Sequence, residues 1–430
     1  MSEGPDRPRK IDPSHIQVPA GFRIDVIAQG LTTPINLLIT NGGEMIVADA
    51  GVISGNGKVL RLTANGIQQI ADGFRPPLTG INEYNNLLYV AHRGTITTVT
   101  PEGKKKDIIA GLPSFGDHHN NRTIFGPDGK MYFGQGTATN AGVVGADNHW
   151  VKNHPFFHDY AGATLPLAGH NFLTGDLLTD QDNRRALTGA FSPFGHATRK
   201  NERVTAMIKA SGSVLRANPD GSNLELVAWG LRNPFRMRFD RHGRLFTANH
   251  GMDERGSRPI KNSPDEFQLI RYGEWYGWPD YTGGIPITDQ QFKPDTHRQP
   301  EFLFARHPMR PPTPFAIFPP HSAAMGFDFN PNLAFGPLDD VFIAEYGPGA
   351  PDYPVQQLPK VGHRVSHLSM KSGHVRPFAI NRSGLPASAT DGGGFERPID
   401  VVFGPDMAMY IVDFGQMKAG HGVIWRIAAI

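Results

Sequence analysis

Met237 to Gly251 reads MRFDRHGRLFTANHG: an apolar strand, a turn on Asp240 and Gly243, a second apolar strand, then a loop of small residues. The unit recurs as LLITNGGEMIVADAG (Leu37 to Gly51), GINEYNNLLYVAHRG (Gly80 to Gly94) and TIFGPDGKMYFGQG (Thr123 to Gly136). It returns as GFDFNPNLAFGPLDDVFIAEYG (Gly326 to Gly347) and VVFGPDMAMYIVDFG (Val402 to Gly415). The first three start at equal steps of roughly 40–45 residues, the length of one four-stranded propeller blade.

A third strand often follows, as in GKVLRLTANG from Gly57, GSVLRANPDG from Gly212 and GVIWRIAAI from Gly422. A fourth recurs as IQQIADGF before Arg75 and NLELVAWGL from Asn223. Phe22 to Leu31, FRIDVIAQGL, matches this fourth strand yet precedes the first unit. The chain thus ends after a third strand and begins with a spare fourth, so pairing the two closes a ring and removes its exposed edges. The expectation is an all-β, six-bladed β-propeller over residues 21–430 behind a tail at 1–20. Two or three packed sandwiches would leave the displaced strand unexplained. Between about 140 and 210 the repeat breaks off, and a long stretch bearing His149, His154, His158, His170 and His196 intervenes as a lid, a wall or a disordered insertion.

Composition narrows the function. Gly 50 and Pro 37 in 430 residues favour turns over helices. Lys+Arg 42 against Asp+Glu 40 leaves a net charge of +2, too little to expect nucleic acid as a partner. No run reaches the ~18 apolar residues of a membrane span. Cys 0 excludes disulfides, thiolate metal sites and a cysteine nucleophile. The opening MSEGPDRPRK has no apolar core of a signal peptide.

In a propeller, loops entering each inner strand open on one face. His118 and Arg232 stand at equal distances before Phe125 and Phe239, so they should occupy equivalent places on neighbouring blades. His321 and Arg397 fall within a residue of the same register. Four such side chains around an axial well would make a cationic, proton-accepting pocket suited to an anionic ligand, with histidine able to abstract a proton near neutral pH. A second loop set opens on the same face. There Asp265 and Glu266, beside backbone turned by Gly251 and with Tyr276 nearby, suggest an oxygen-rich loop of the kind Ca²⁺ uses.

HHNNRTIFGPDGKMYFG resembles the H-x-G-G-R-x-x-F-G-P-D-G-K segment of the soluble PQQ-dependent glucose/sorbosone (aldose sugar) dehydrogenase family. GSVLRANPDG, GLRNP, the His250-Gly251, Asp265-Glu266 and Tyr276-to-Pro279 set, and ERPIDVVFGPD resemble its later segments in order and spacing. The resemblance implies a propeller that binds PQQ and Ca²⁺ and oxidises a sugar or related alcohol, passing electrons on to an external acceptor. It implies His118 as general base, Arg232 and Asn233 at the quinone oxygens, Arg397 at a cofactor carboxylate, and Gly251, Asp265 and Tyr276 in the calcium loop. His321 and, more loosely, Lys360 are further candidates for holding the cofactor. It also favours a periplasmic or secreted protein. The sequence departs from the family in Asn120 and Asn121, which put side chains where glycines leave room, and in Ile399, where many members place a second arginine. Two other functions stay open on the residues: a calcium-dependent lactone or ester hydrolase, and a propeller that binds a ligand without catalysis.

Overall fold

A computed structural model describes residues 9–179, 183–348, 360–390 and 392–430. Six antiparallel sheets follow one another around an axis. Their first, inner strands are Pro34–Ile39, Leu78–Tyr84, Ile124–Phe125, Pro234–Phe239, Ala324–Phe329 and Pro398–Phe403, numbered here as blades 1 to 6. The first strands of blades 4, 5, 6, 1 and 2 lie against one another in turn, and blade 3 meets blade 4 through its second strand. The ring closes as the displaced strand predicts. Phe22–Leu31 pairs antiparallel with Gly422–Ala429, from Phe22 opposite Ala429 to Leu31 opposite Gly422. One pairing of the N-terminal stretch has no counterpart in the repeat: Ile16–Gln17 adds a fifth strand to blade 5, opposite Asn381 and Ile380.

The core follows the strand pattern. Middle strands such as Met409–Asp413 and Leu245–Asn249 are buried along their whole length, because each faces a neighbouring blade on both sides. Turns between first and second strands carry the positive φ that glycine takes without strain, as at Gly129 and Gly243.

Two stretches leave the four-stranded plan. Residues 140–210 form the hairpins Leu165–Pro166/Arg203–Val204 and Asn171–Gly175/Arg185–Gly189. In blade 4 the chain leaves the third strand at Ile270 and returns in the fourth only at Ala316. These stretches bury Leu165, Phe191, Trp275, Trp278 and Phe304 in one shared cluster outside the blades. Burial of several large aromatic and aliphatic side chains fixes the first stretch as a wall on the propeller face.

Candidate functional site

A cavity of about 210 Å³ opens on that face over blades 3, 4 and 5. His118 and Asp117 come from the loop entering blade 3, Arg232 from that entering blade 4, and His321 from that entering blade 5. The loop after the second strand of blade 4 supplies His250 to Asp253 and Arg255. The structure therefore brings three of the four predicted basic residues together. Arg397 stands behind them: its Nη1 donates to Pro348 O at 2.6 Å and its guanidinium lies 4.8 Å from the Tyr346 ring centre. With no described residue of blades 1, 2 or 6 lining it, the site is lopsided rather than an axial ring.

His118 is held in one tautomer. Its Nδ1 lies 3.1 Å from both Thr137 O and Thr137 Oγ1, and that hydroxyl spends its own proton on Thr139 O at 2.7 Å. Both neighbours can only accept, so Nδ1 carries the hydrogen and Nε2 the lone pair. Burial, then the positive fields of Arg232 and its neighbours, hold the imidazole pKa well below the usual value. Gly136 makes the approach possible, since a Cβ there would stand 2.3 Å from the His118 Cβ. His119 is turned elsewhere, its Nδ1 3.0 Å from Ser114 O, and burial lowers its pKa to about 4.

Behind His118 stands Asp159, from the inserted wall. It accepts from Ala138 N at 2.6 Å and Thr139 Oγ1 at 2.5 Å, and burial raises its pKa to about 6. Nothing in the repeat pointed to Asp159, because it lies where the repeat fails.

Arg232 is buried. Its Nε donates to Asn140 O at 3.2 Å, and its Nη2 to Asn140 Oδ1 at 3.0 Å and Asp253 Oδ2 at 2.7 Å. Its Nη1 makes no hydrogen bond with the described residues. Asn233 donates its Nδ2 hydrogen to His250 Nδ1 at 3.1 Å, while His250 Nε2 donates to Ala324 O at 3.1 Å. Asn233 thus sets the His250 ring rather than lining the cavity. His321, at φ 65°, puts its Nδ1 3.9 Å from Asp253 Oδ1. Lys360 is exposed and lines no part of the cavity.

The cavity is less cationic than expected. Arg255 is the hub of three carboxylates, at 2.6 Å from Asp117, 2.6 Å from Asp147 and 3.4 Å from Asp253. Burial opposes ionisation of Asp253, but Arg232 and Arg255 more than offset it and hold its carboxyl below the usual range. Sequence spacing missed these acids because Asp117 and Asp253 adjoin the motifs without belonging to them, and Asp147 arrives from the insertion. Nor do Asn120 and Asn121 crowd the cavity. Asn120 binds Gly94 N, Ser114 Oγ and Thr95 O toward blade 2, and Asn121 donates to Asn233 Oδ1 and Pro234 O. Ile399 packs in the apolar core.

The predicted calcium loop is differently built. Asp265 and Glu266 open a strand, Asp265–Ile270, and so face opposite sides. Asp265 borders the main cavity, accepting from Gly251 N at 2.7 Å, Ala324 N at 3.0 Å and Ser322 Oγ at 3.2 Å. Glu266 borders a separate void of about 10 Å³, shared with Gly251 and Tyr276. Its oxygens accept from Gly283 N at 2.6 Å, Asn249 Nδ2 at 2.9 Å and Gln268 Nε2 at 3.0 Å, and burial raises its pKa. The Tyr276 hydroxyl donates to Leu269 O at 2.7 Å and accepts from Arg271 N at 2.8 Å. Calcium takes 6–8 oxygens. Here the void has room for about one water, and N–H donors already point at both carboxylates. Among the described residues no three His, Asp or Glu side chains gather as a metal cluster. The side chains do not fit Ca²⁺.

Fold and site together define a six-bladed propeller with a histidine- and arginine-bearing cavity on its face. The glucose/sorbosone dehydrogenase family model matches residues 196–318, the stretch that carries Arg232, Asp265 and Tyr276. Quinoprotein glucose dehydrogenase B of Acinetobacter calcoaceticus is 28% identical over 182 residues, 42% of this chain and 30% of that protein. The match thus spans under a third of that relative's length. The PQQ-bound aldose sugar dehydrogenase of Streptomyces coelicolor superposes with TM-score 0.54 at 17% identity, over 96% of this chain and 99% of the other. The holo pyranose dehydrogenase PQQ domain of Coprinopsis cinerea gives TM-score 0.59 at 15% identity, covering 98% of each chain. At these identities the structures establish the fold, and the family resemblance rests on the matched sequence.

Proposed function

We propose that this protein is a sugar dehydrogenase of the quinoprotein type, with His118 as general base toward the hydroxyl of the carbon being oxidised. The supporting observation is the His118 imidazole, fixed by Thr137 with its Nε2 lone pair available beside a buried arginine. A base must be unprotonated and positioned, and burial together with Arg232 keeps this one neutral. PQQ, when bound, supplies the two-electron acceptor for hydride from that carbon. Its carboxylates and quinone oxygens call for fixed cations, and Arg232 fits through the Nη1 that no described residue engages. His321 borders the same cavity, and Arg397 stands behind it, donating to Pro348 O on its rim. Asn140 and Asp253 orient Arg232, while Arg255 ties the inserted wall to the cavity rim through Asp147. Aldoses are the proposed substrates, in keeping with the family description.

The test is titration of apoprotein with PQQ, followed by absorbance, then dye reduction on adding a panel of aldoses. Saturable binding with sugar-dependent reduction is expected. Binding without reduction by any sugar would remove the dehydrogenase reading. The hydrolase reading needs carboxylates free to hold a central metal; here Asp117 and Asp253 are paired with Arg255 and Arg232, and Asp265 is occupied by hydrogen bonds from Gly251 N, Ala324 N and Ser322 Oγ.

A further inference from the structure

The centre of the propeller carries a charge imbalance that the face site does not use. Arg122 precedes the short inner strand of blade 3, Arg236 and Arg238 lie on that of blade 4, Asp328 on blade 5 and Asp400 on blade 6. In blades 4 and 6 the register shifts just before Arg236 and Asp400. Such bulges re-aim side chains. Arg236 Nη2 then stands 3.0 Å from Asp400 Oδ2, an ion pair from blade 4 to blade 6 with both side chains essentially buried. Arg238 pairs with Asp328 at 3.3 Å and donates to Phe327 O at 2.6 Å.

That leaves Arg122 over. It is buried, and Gly80 in blade 2 lets it approach, since a Cβ there would lie 2.6 Å from the Arg122 Cβ. Its one hydrogen bond, to Asn82 Oδ1, is long at 3.5 Å, and its Nε has no acceptor among the described residues. No carboxylate pairs with it there. Arg236 keeps Nε and Nη1 without acceptors as well. The two carboxylates are partly committed elsewhere: Asp400 Oδ2 accepts from Asn36 Nδ2 at 2.7 Å while its Oδ1 has no donor among the described residues, and Asp328 accepts from Phe329 N and Phe403 N at 2.9 Å each. Burial, then Arg236 and Arg238, push the Arg122 pKa down to about 9, so the strain is borne without loss of its proton near neutrality. Three guanidiniums meet two carboxylates. An unpaired buried charge costs several kcal/mol, and a small anion is the group that relieves it with N–H donors already in place.

We infer that this buried cluster at the centre of the propeller is an anion site, in which a monovalent inorganic ion of the chloride class sits between Arg122 and Arg236 and holds blades 2, 3, 4 and 6 together. The site is distinct from the face cavity and does not depend on the dehydrogenase reading. Two measurements test it. Crystals of the full chain soaked in bromide should give an anomalous peak in hydrogen-bond contact with both guanidiniums. In solution, replacing gluconate by chloride at constant ionic strength should raise Tm by several degrees in the wild type and leave Arg122→Met unmoved. If Arg122→Met does not fold, the bromide peak and the wild-type titration decide. Ordered water without an anomalous peak, or a Tm that follows ionic strength but not the identity of the anion, overturns the inference.

Discussion

Two loops on the propeller face invited the same kind of reading, and the structure treats them differently. The loop entering blade 3 puts His118 into the cavity, whereas the run at the start of the third strand of blade 4 divides its two acids between a cavity and a void. Local geometry explains the difference. His118 sits in irregular chain whose direction is set by Gly136 and Thr137, so one side chain can be aimed. Asp265 and Glu266 obey strand alternation, and adjacent residues cannot converge. A loop can turn one histidine into a cavity; a strand sends two adjacent carboxylates to opposite sides.

The sharpest way to break that comparison is to remove the two histidines in turn. His118→Ala should lower kcat for PQQ-dependent sugar oxidation by about 10²–10⁴-fold, the usual contribution of a general base. His119→Ala should leave kcat within a few fold, since its ring is turned toward Ser114. Steady-state dye reduction distinguishes the two. Equal losses in both variants would mean that the loop, not the base, was being measured.

Next in size is Asp265→Asn. The amide keeps one acceptor for three donors, Gly251 N, Ala324 N and Ser322 Oγ. Leaving a buried N–H unpaired costs about 1–3 kcal/mol, and that loss should appear as a lower urea midpoint with an unchanged m-value. A fastener loses stability in the presence and absence of calcium alike. If calcium alone separated wild type from variant, Asp265 would be a ligand after all.

Most of the scaffold was legible because it repeats. The strand–turn–strand unit and the misplaced fourth strand, Phe22 to Leu31, are local patterns that force a ring, and the ring brings His118, Arg232 and His321 together. What stayed hidden came from chain that does not repeat. Asp147 and Asp159 reach the site from the insertion, where no register exists to align them. The parting of Asp265 and Glu266 was hard to read for the opposite reason: DEFQLI alternates as a strand, although Gly251 and Tyr276 stand nearby in loops.

Asp159 offers a pH test of how far the wall supports the base. Its folded pKa, about 6, is raised above that of an ordinary aspartate mainly by burial, so the folded state holds the proton more tightly than the unfolded chain. The favourable contribution of the protonated form is present below the unfolded value and is lost as pH rises toward about 6. Between pH 4 and 6 this group alone should lower stability by up to about 3 kcal/mol, with no further change above. Asp159→Asn should flatten that segment of the stability–pH curve. An unaltered curve would place the titrating group elsewhere.

The smallest effect concerns Tyr276, and it bears directly on the second loop. Its hydroxyl fastens Leu269 O and Arg271 N, both on its own stretch of chain. Tyr276→Phe should therefore cost about 1 kcal/mol, the net worth of an ordinary hydrogen bond. Calcium stabilises a fold only in proportion to its binding to the native state. If these side chains are fasteners, millimolar calcium should move Tm equally in wild type, Tyr276→Phe and Glu266→Gln. A calcium-dependent rise present in wild type and absent from Glu266→Gln would make Glu266 a ligand. The void it shares with Gly251 and Tyr276 would then be a metal pocket, and the contrast between the two loops would narrow to one of ligand number.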